Sequence, residues 1–141
     1  MSVDVRHSIE LARPAAEVFA VLADFSRNPE WQGGMVACRW TRGGPGEPGA
    51  TYEQEARFLG RPILTAFEVV AVEPGRSVEI HSTQSTFPIQ VTRSVEALGP
   101  DRCRVTAHVR GQPTGLLKLF GGMVGRSVRA DYARLKVMLE G

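Results

Sequence analysis

A chain of 141 residues with 43% hydrophobic and 23% charged side chains suits one globular domain, large enough to bury a core without metal or disulfide support. Its net charge of +2 comes from basic residues scattered along the sequence, which argues against nucleic acid, and no apolar run approaches the ~18 residues of a membrane span. From Val3 onward charged and apolar residues alternate, unlike a signal or transit peptide, so cytoplasmic residence is expected.

Val3 to Leu11 reads as a strand with one wet face: Val3, Val5, His7, Ile9 and Leu11 on one side, Asp4, Arg6, Ser8 and Glu10 on the other. Pro14 fits a helix start, where its missing N–H would be unpaired anyway, and Val18, Val21 and Leu22 give a short helix its apolar stripe. Phe25 to Trp31 predicts a second short helical turn, ended near Pro29 and Gly33-Gly34. Met35–Thr41 is the next strand, with Val36, Cys38 and Trp40 on one face. The run Gly43-Gly44-Pro45-Gly46-Glu47-Pro48-Gly49 must be a loop. Strands follow at Ala50–Leu59, Ile63–Glu73, Ser77–Thr83, Gln90–Leu98 and Arg102–Arg110, joined by hairpin-length turns, which predicts an antiparallel sheet. A long helix, Leu116 to Glu140, closes the chain with an apolar stripe of Leu117, Phe120, Val124, Val128, Leu135 and Leu139. Three glycines in its front half, Gly121, Gly122 and Gly125, lower helix propensity there and predict a gate. Strands first and a long helix last, with that helix burying its stripe on the sheet, make the fold α+β.

Several segments, in this order, carry a resemblance over the whole chain. They are Arg13-Pro14-Ala15-Ala16-Glu17-Val18-Phe19 with Asn28-Pro29-Glu30-Trp31, Gly49-Ala50-Thr51-Tyr52, Phe67 to Arg76, Gly99 to Thr106, and Leu135 to Glu140. The chain resembles the START-like (SRPBCC) superfamily, in particular its polyketide cyclase/dehydrase branch. One departure is Arg102-Cys103, where the family's turn usually has Gly-Thr. The resemblance implies a helix-grip fold: a seven-stranded curved antiparallel sheet wrapped around a long C-terminal helix, two short helices between strands 1 and 2, and an internal cavity. It also implies a small hydrophobic, amphipathic or polyketide-like ligand, and an acyl carrier protein as a further partner to consider. The chain would act as a monomer or homodimer and needs no cofactor.

Strand parity selects the residues that face such a cavity. On the third strand Tyr52, Gln54 and Phe58 share the inner face, opposite Glu53, Glu55 and Arg57; on the sixth, Arg93 falls among Val91 and Val95. With Phe67 on the fourth strand, Leu117 and Phe120 on the long helix, and Trp31 in the connecting turn, these form the candidate ligand-binding set. Arg93 inside must pair, either with Asp131 or with an oxygen of the ligand, because an isolated buried guanidinium is costly. His7 reads as a core histidine or as a proton shuttle with Tyr52, while His81 and His108 face outward. Lys118, Arg126, Arg129 and Lys136 make one side of the helix basic, a solvated face or a contact for an acidic partner. Cys38 and Cys103 read as free thiols among apolar neighbours, and neither they nor the histidines have metal-ligand spacing. No nucleophile elbow, phosphate loop or dinucleotide fingerprint is present. The expected function is therefore binding in the cavity. A cyclase, aromatase or dehydratase using pocket acid/base groups is the main alternative, and a lipid or quinone carrier at a membrane the second.

Overall fold

The computed structural model describes residues 3–112 and 121–141, apart from the Phe58 side chain. Strand β1 (Val3–Leu11) is followed by helix α1 (Ala15–Ala23) and a 3-10 turn (Phe25–Glu30). Then come β2 (Met35–Arg42), β3 (Thr51–Phe58), β4 (Arg61–Glu73), β5 (Ser77–Gln84), β6 (Ile89–Gly99), β7 (Arg102–Gly111) and helix α2 (Gly121–Glu140). The seven strands form one antiparallel sheet in the order β1-β7-β6-β5-β4-β3-β2, so the first strand pairs with the last and Val3 lies opposite Gly111. This curved sheet with its C-terminal helix is the expected α+β helix-grip arrangement. The expected front of α2, Leu116 to Phe120, lies outside the described residues.

Pro14 sits one position before α1 rather than in its first turn, and its carbonyl accepts from Val18 N–H at 3.2 Å. The 3-10 turn runs through Pro29 rather than ending at it. Its backbone bonds, Arg27 N–H to Asp24 O and Trp31 N–H to Asn28 O, require no donor at position 29, so proline is tolerated there. Asp24 caps the turn by accepting from the Ser26 N–H, and also accepts from the Trp40 indole at 3.1 Å.

The core lies between the inner sheet face and the helices. Leu11, Leu22, Phe25, Trp31, Tyr52, Val69, Val78, Val105 and Leu135 are almost fully buried. Burying each aliphatic or aromatic side chain of this kind contributes about 1.5–3 kcal/mol. The alternation read from sequence holds on β1, β3 and β7, and on β6 as far as Val95, beyond which Ala97 is exposed at a register shift. On β2 it fails at one residue: the pairing with β3 shifts between Met35 and Ala37, and Val36 turns out to solvent at 50% exposure while Cys38 and Trp40 stay inside. Cys38 and Cys103 are free thiols, as expected.

Candidate functional site

Three pieces of chain meet over the inner face of the sheet: the 3-10 turn with the loop that follows it, the centre of β6, and the middle of α2. Arg93 lies at their junction. It is 3% exposed, on the inner face of β6, flanked across the ladder by Val78 and by Ala107, whose short side chain leaves room for it. Its Nη1 donates to Leu22 O at 2.9 Å, satisfying a carbonyl at the end of α1, and its Nη2 donates to Asn28 Oδ1 at 3.1 Å. The guanidinium lies 4.4 Å from the Phe25 ring centroid and 4.8 Å from that of Trp31, two cation–π contacts in a water-poor setting. Its Nε–H has no partner among the described residues.

Asp131 is not the direct partner that the sequence offered. Its Oδ1 accepts from Gly33 N–H at 2.9 Å and from the Arg134 guanidinium, and Arg134 Nε also donates to Trp31 O at 3.0 Å. These bonds fasten the loop after the 3-10 turn to α2. The approach is so close that a Cβ at Gly33 would push the Arg134 guanidinium aside and disturb this fastening. Burial raises the Asp131 carboxyl above its ordinary range, against the pull of the Gly33 N–H and of the Arg134 and Arg93 charges.

Between these elements lies a cavity of about 210 Å3. Ile80, Ile89, Val91, Val109, Val128 and Phe67 give it apolar walls; Arg93, Asn28, Tyr52, Gln54, Asp131 and Tyr132 supply its polar groups. Tyr52 is stacked between Phe25 and Phe67, at 4.8 and 5.3 Å between centroids. Tyr132 meets Trp31 edge-on at 5.0 Å. Burial raises both phenols above their ordinary value, and the Arg93 charge opposes the rise without making a hydrogen bond of ordinary geometry to either. Burial also pushes the Cys38 thiol up to about 12. At neutral pH the two hydroxyls are therefore protonated, so the cavity offers donors and carries no phenolate; the Cys38 thiol, paired across the ladder with Gln54 but not lining the cavity, is protonated too. A larger hollow of about 350 Å3 lies across the outer face of β2, β3 and β4, where the exposed pair Arg39–Glu53 and the exposed Leu64 line it. Of its charges, Arg39 and Glu53 pair with each other in solvent, and Glu55 forms no ion pair among the described residues.

Of the residues expected at the site, Tyr52, Gln54, Phe67 and Arg93 line this one cavity. Trp31 is 1% exposed and backs Arg93 from the core instead of lining the space. Phe58, by its side chain, and Leu117 and Phe120 lie outside the described residues. His7 is half-buried opposite Ala107 on β1 and does not line the cavity. His81 and His108 face outward and pair with Glu79 and Asp4. Arg126, Arg129 and Lys136 are exposed on α2, with Lys136 bound to Glu140 and to Glu10 O. Sequence reading missed Asn28 and Tyr132. Tyr132 had a signal: it stands four residues after Val128 and three before Leu135, in step with the inner stripe. Asn28 had none, since only the three-dimensional path of the 3-10 turn brings it to Arg93. Among the described residues there is no cluster that could hold a metal ion, and no helix is long and apolar enough to cross a membrane.

The sequence profile described as polyketide cyclase / dehydrase and lipid transport matches residues 2–140. No curated protein sequence matches the chain. Among solved structures, it is similar to a START superfamily protein from Mycobacterium smegmatis, at 20% identity and TM-score 0.71, covering 98% of this chain and 94% of that one. It is also similar to the di-domain aromatase/cyclase BexL of the BE-7585A biosynthetic pathway, at 20% identity and TM-score 0.79, covering 97% of this chain and 46% of that one. A third likeness is to the Zhui aromatase/cyclase from Streptomyces sp. R1128, at 16% identity and TM-score 0.70, covering 97% and 88%. At these identities the likenesses speak for the fold.

Proposed function

Because this chain belongs to the polyketide cyclase/dehydrase and lipid transport family, we propose that its inner cavity binds a small amphipathic molecule by an oxygen-bearing end. The observation that carries the reading is the buried guanidinium of Arg93, which lines a cavity with apolar walls and whose Nε–H is unpaired among the described residues. A buried donor without an acceptor is costly, and a ligand carbonyl or carboxylate supplies one. Gln54 and the hydroxyls of Tyr52 and Tyr132 add donors around the same space. The walls contribute about 25 cal/mol per Å2 of ligand surface they cover, before binding entropy is subtracted.

A catalytic reading has one observation in its favour: Tyr132 and a carboxyl raised by burial, Asp131, both lie near Arg93 and could move a proton to or from a bound carbonyl. Binding is the better supported of the two. Both oxygen-directed bonds of Asp131 hold structure, and the remaining groups donate rather than abstract.

Calorimetric titration with a medium-chain carboxylate and with a hydrocarbon of equal size tests the proposal. The carboxylate should bind with roughly micromolar affinity and more tightly than the hydrocarbon. Gln54→Ala and Tyr132→Phe should each weaken the carboxylate about three- to tenfold, and Arg93→Ala on the order of ten- to a hundredfold, while the hydrocarbon hardly changes. Arg57→Ala, on the exposed face of β3, should alter neither. Equal affinity for the two ligands would overturn the reading, and product formation from a β-polyketone analogue would favour the catalytic one.

A further inference from the structure

At its apolar end the cavity borders a second, smaller one. Ile89 and Val109, on adjacent strands, line both it and a second hollow of about 70 Å3. That hollow lies among Val3, Phe87, Gly111, Val124 and the stem of Arg110, and it presents no polar surface. An apolar space of this kind stays dry, and its lining lacks the contacts that a hydrocarbon would provide.

We infer that the two hollows hold one ligand end to end. The oxygen-bearing head lies beside Arg93, and an unbranched hydrocarbon tail crosses between Ile89 and Val109 into the second hollow, with Gly111 setting the length of tail admitted. The inference rests on the binding proposed above and adds the ligand class: a short or medium-chain amphiphile, not a fused polycycle. Size supports this. At ~30 Å3 per heavy atom, the two spaces hold on the order of nine to ten atoms.

Gly111 is the residue that keeps the far end open. It stands between Val3 on β1 and Ile89 on β6, and a Cβ there would lie 2.9 Å from the Phe87 ring and 3.5 Å from Pro88 O. Its backbone does not have a positive φ, so alanine is admissible in conformation; what it lacks is space. Either the new methyl or the displaced Phe87 ring must then occupy part of the 70 Å3. Val124, on α2, bounds the same hollow, and trimming it enlarges the space.

Straight-chain carboxylates of about six to fourteen carbons, titrated calorimetrically below their micelle concentrations into the full chain, test this. Affinity should rise about fourfold per methylene, as expected for burial of each CH2, and peak near seven to eight carbons. Gly111→Ala should move the peak one or two carbons shorter, and Val124→Ala about one carbon longer. The second variant decides the matter should Gly111→Ala fail to fold. A peak that stays in place in the folded variants would overturn the inference while leaving the binding proposal standing. Failure of every carboxylate to bind the unmodified chain would overturn both.

Discussion

Asp131 shows how one side chain can hold structure and still be tuned by its surroundings. It accepts from Gly33 and Arg134, yet its carboxyl is raised by burial, so the folded chain holds that proton more tightly than the unfolded chain does. Between the ordinary carboxyl value and the raised one, the native state therefore binds more protons, and the Asp131 contribution to stability falls as pH rises through that window. Urea midpoints of the parent and of Asp131→Asn, measured from about pH 4 to pH 7, should diverge in favour of the asparagine variant as pH rises. The opposite divergence would mean that the charges of Arg134 and Arg93 outweigh burial. The lost ion pair with Arg134 should matter little, because half of that arginine is in solvent. Legibility at this scale was uneven. Period-two alternation put Arg93, Tyr52 and Gln54 on the inner face, because parity needs only neighbours along the strand. The partner of Arg93 was not legible, since Leu22 and Asn28 lie 71 and 65 residues away in sequence and reach it only through the path of the chain.

At the level of elements, α2 has unlike halves. Its first turns contain Gly121, Gly122 and Gly125, each costing about 1 kcal/mol relative to alanine in a helix interior. Its second half carries the buried Tyr132 and Leu135 and the Asp131–Arg134 fastening. Backbone amides at Gly122–Arg126 should therefore exchange with deuterium faster than those at Ala130–Leu139. Equal protection would argue for a uniformly rigid helix and against an opening at this end of the cavity. The elements themselves were largely legible, with strand ends within a few residues, because glycine and proline mark the turns so plainly. Two features escaped. The shift in β2 that exposes Val36 leaves no mark in its own sequence, and the 3-10 turn passing through Pro29 depends on which N–H groups need partners, not on propensity.

Across the whole molecule, the order of elements and the resemblance carried by scattered short segments sufficed for the architecture. They could not give the capacity of the cavity, which is what remains after some fifteen residues from six strands, the 3-10 turn with its loop and one helix have packed. Capacity is a difference between large volumes, and no local pattern encodes it. On the inference drawn above, that difference would favour a small amphiphile over a fused-ring polyketide.

The pairing of β1 with β7 bears on how the chain is made. Val3 meets Gly111, and the far end of α2 is tied to the end of β1 by Ala12 N–H to Glu140 and by Lys136 to Glu10 O. Strand β1 is made before the other six strands of its sheet and thus waits for the last of them, β7. At about 5–20 residues per second, roughly a hundred residues take on the order of 5–20 s, while the meander from β2 to β6 can already form. Closing so long a loop is also slow in refolding, so millisecond-to-second kinetics are expected. In nascent chains halted at increasing lengths, Arg6 should remain open to trypsin until β7 has emerged, and become protected only afterwards. Protection in chains that end before Arg102 would mean that β1 first finds another partner. The N-terminal strand therefore spends its early life as an unpaired edge, and its alternating charges, Asp4, Arg6 and Glu10, are what keep that edge soluble while it waits.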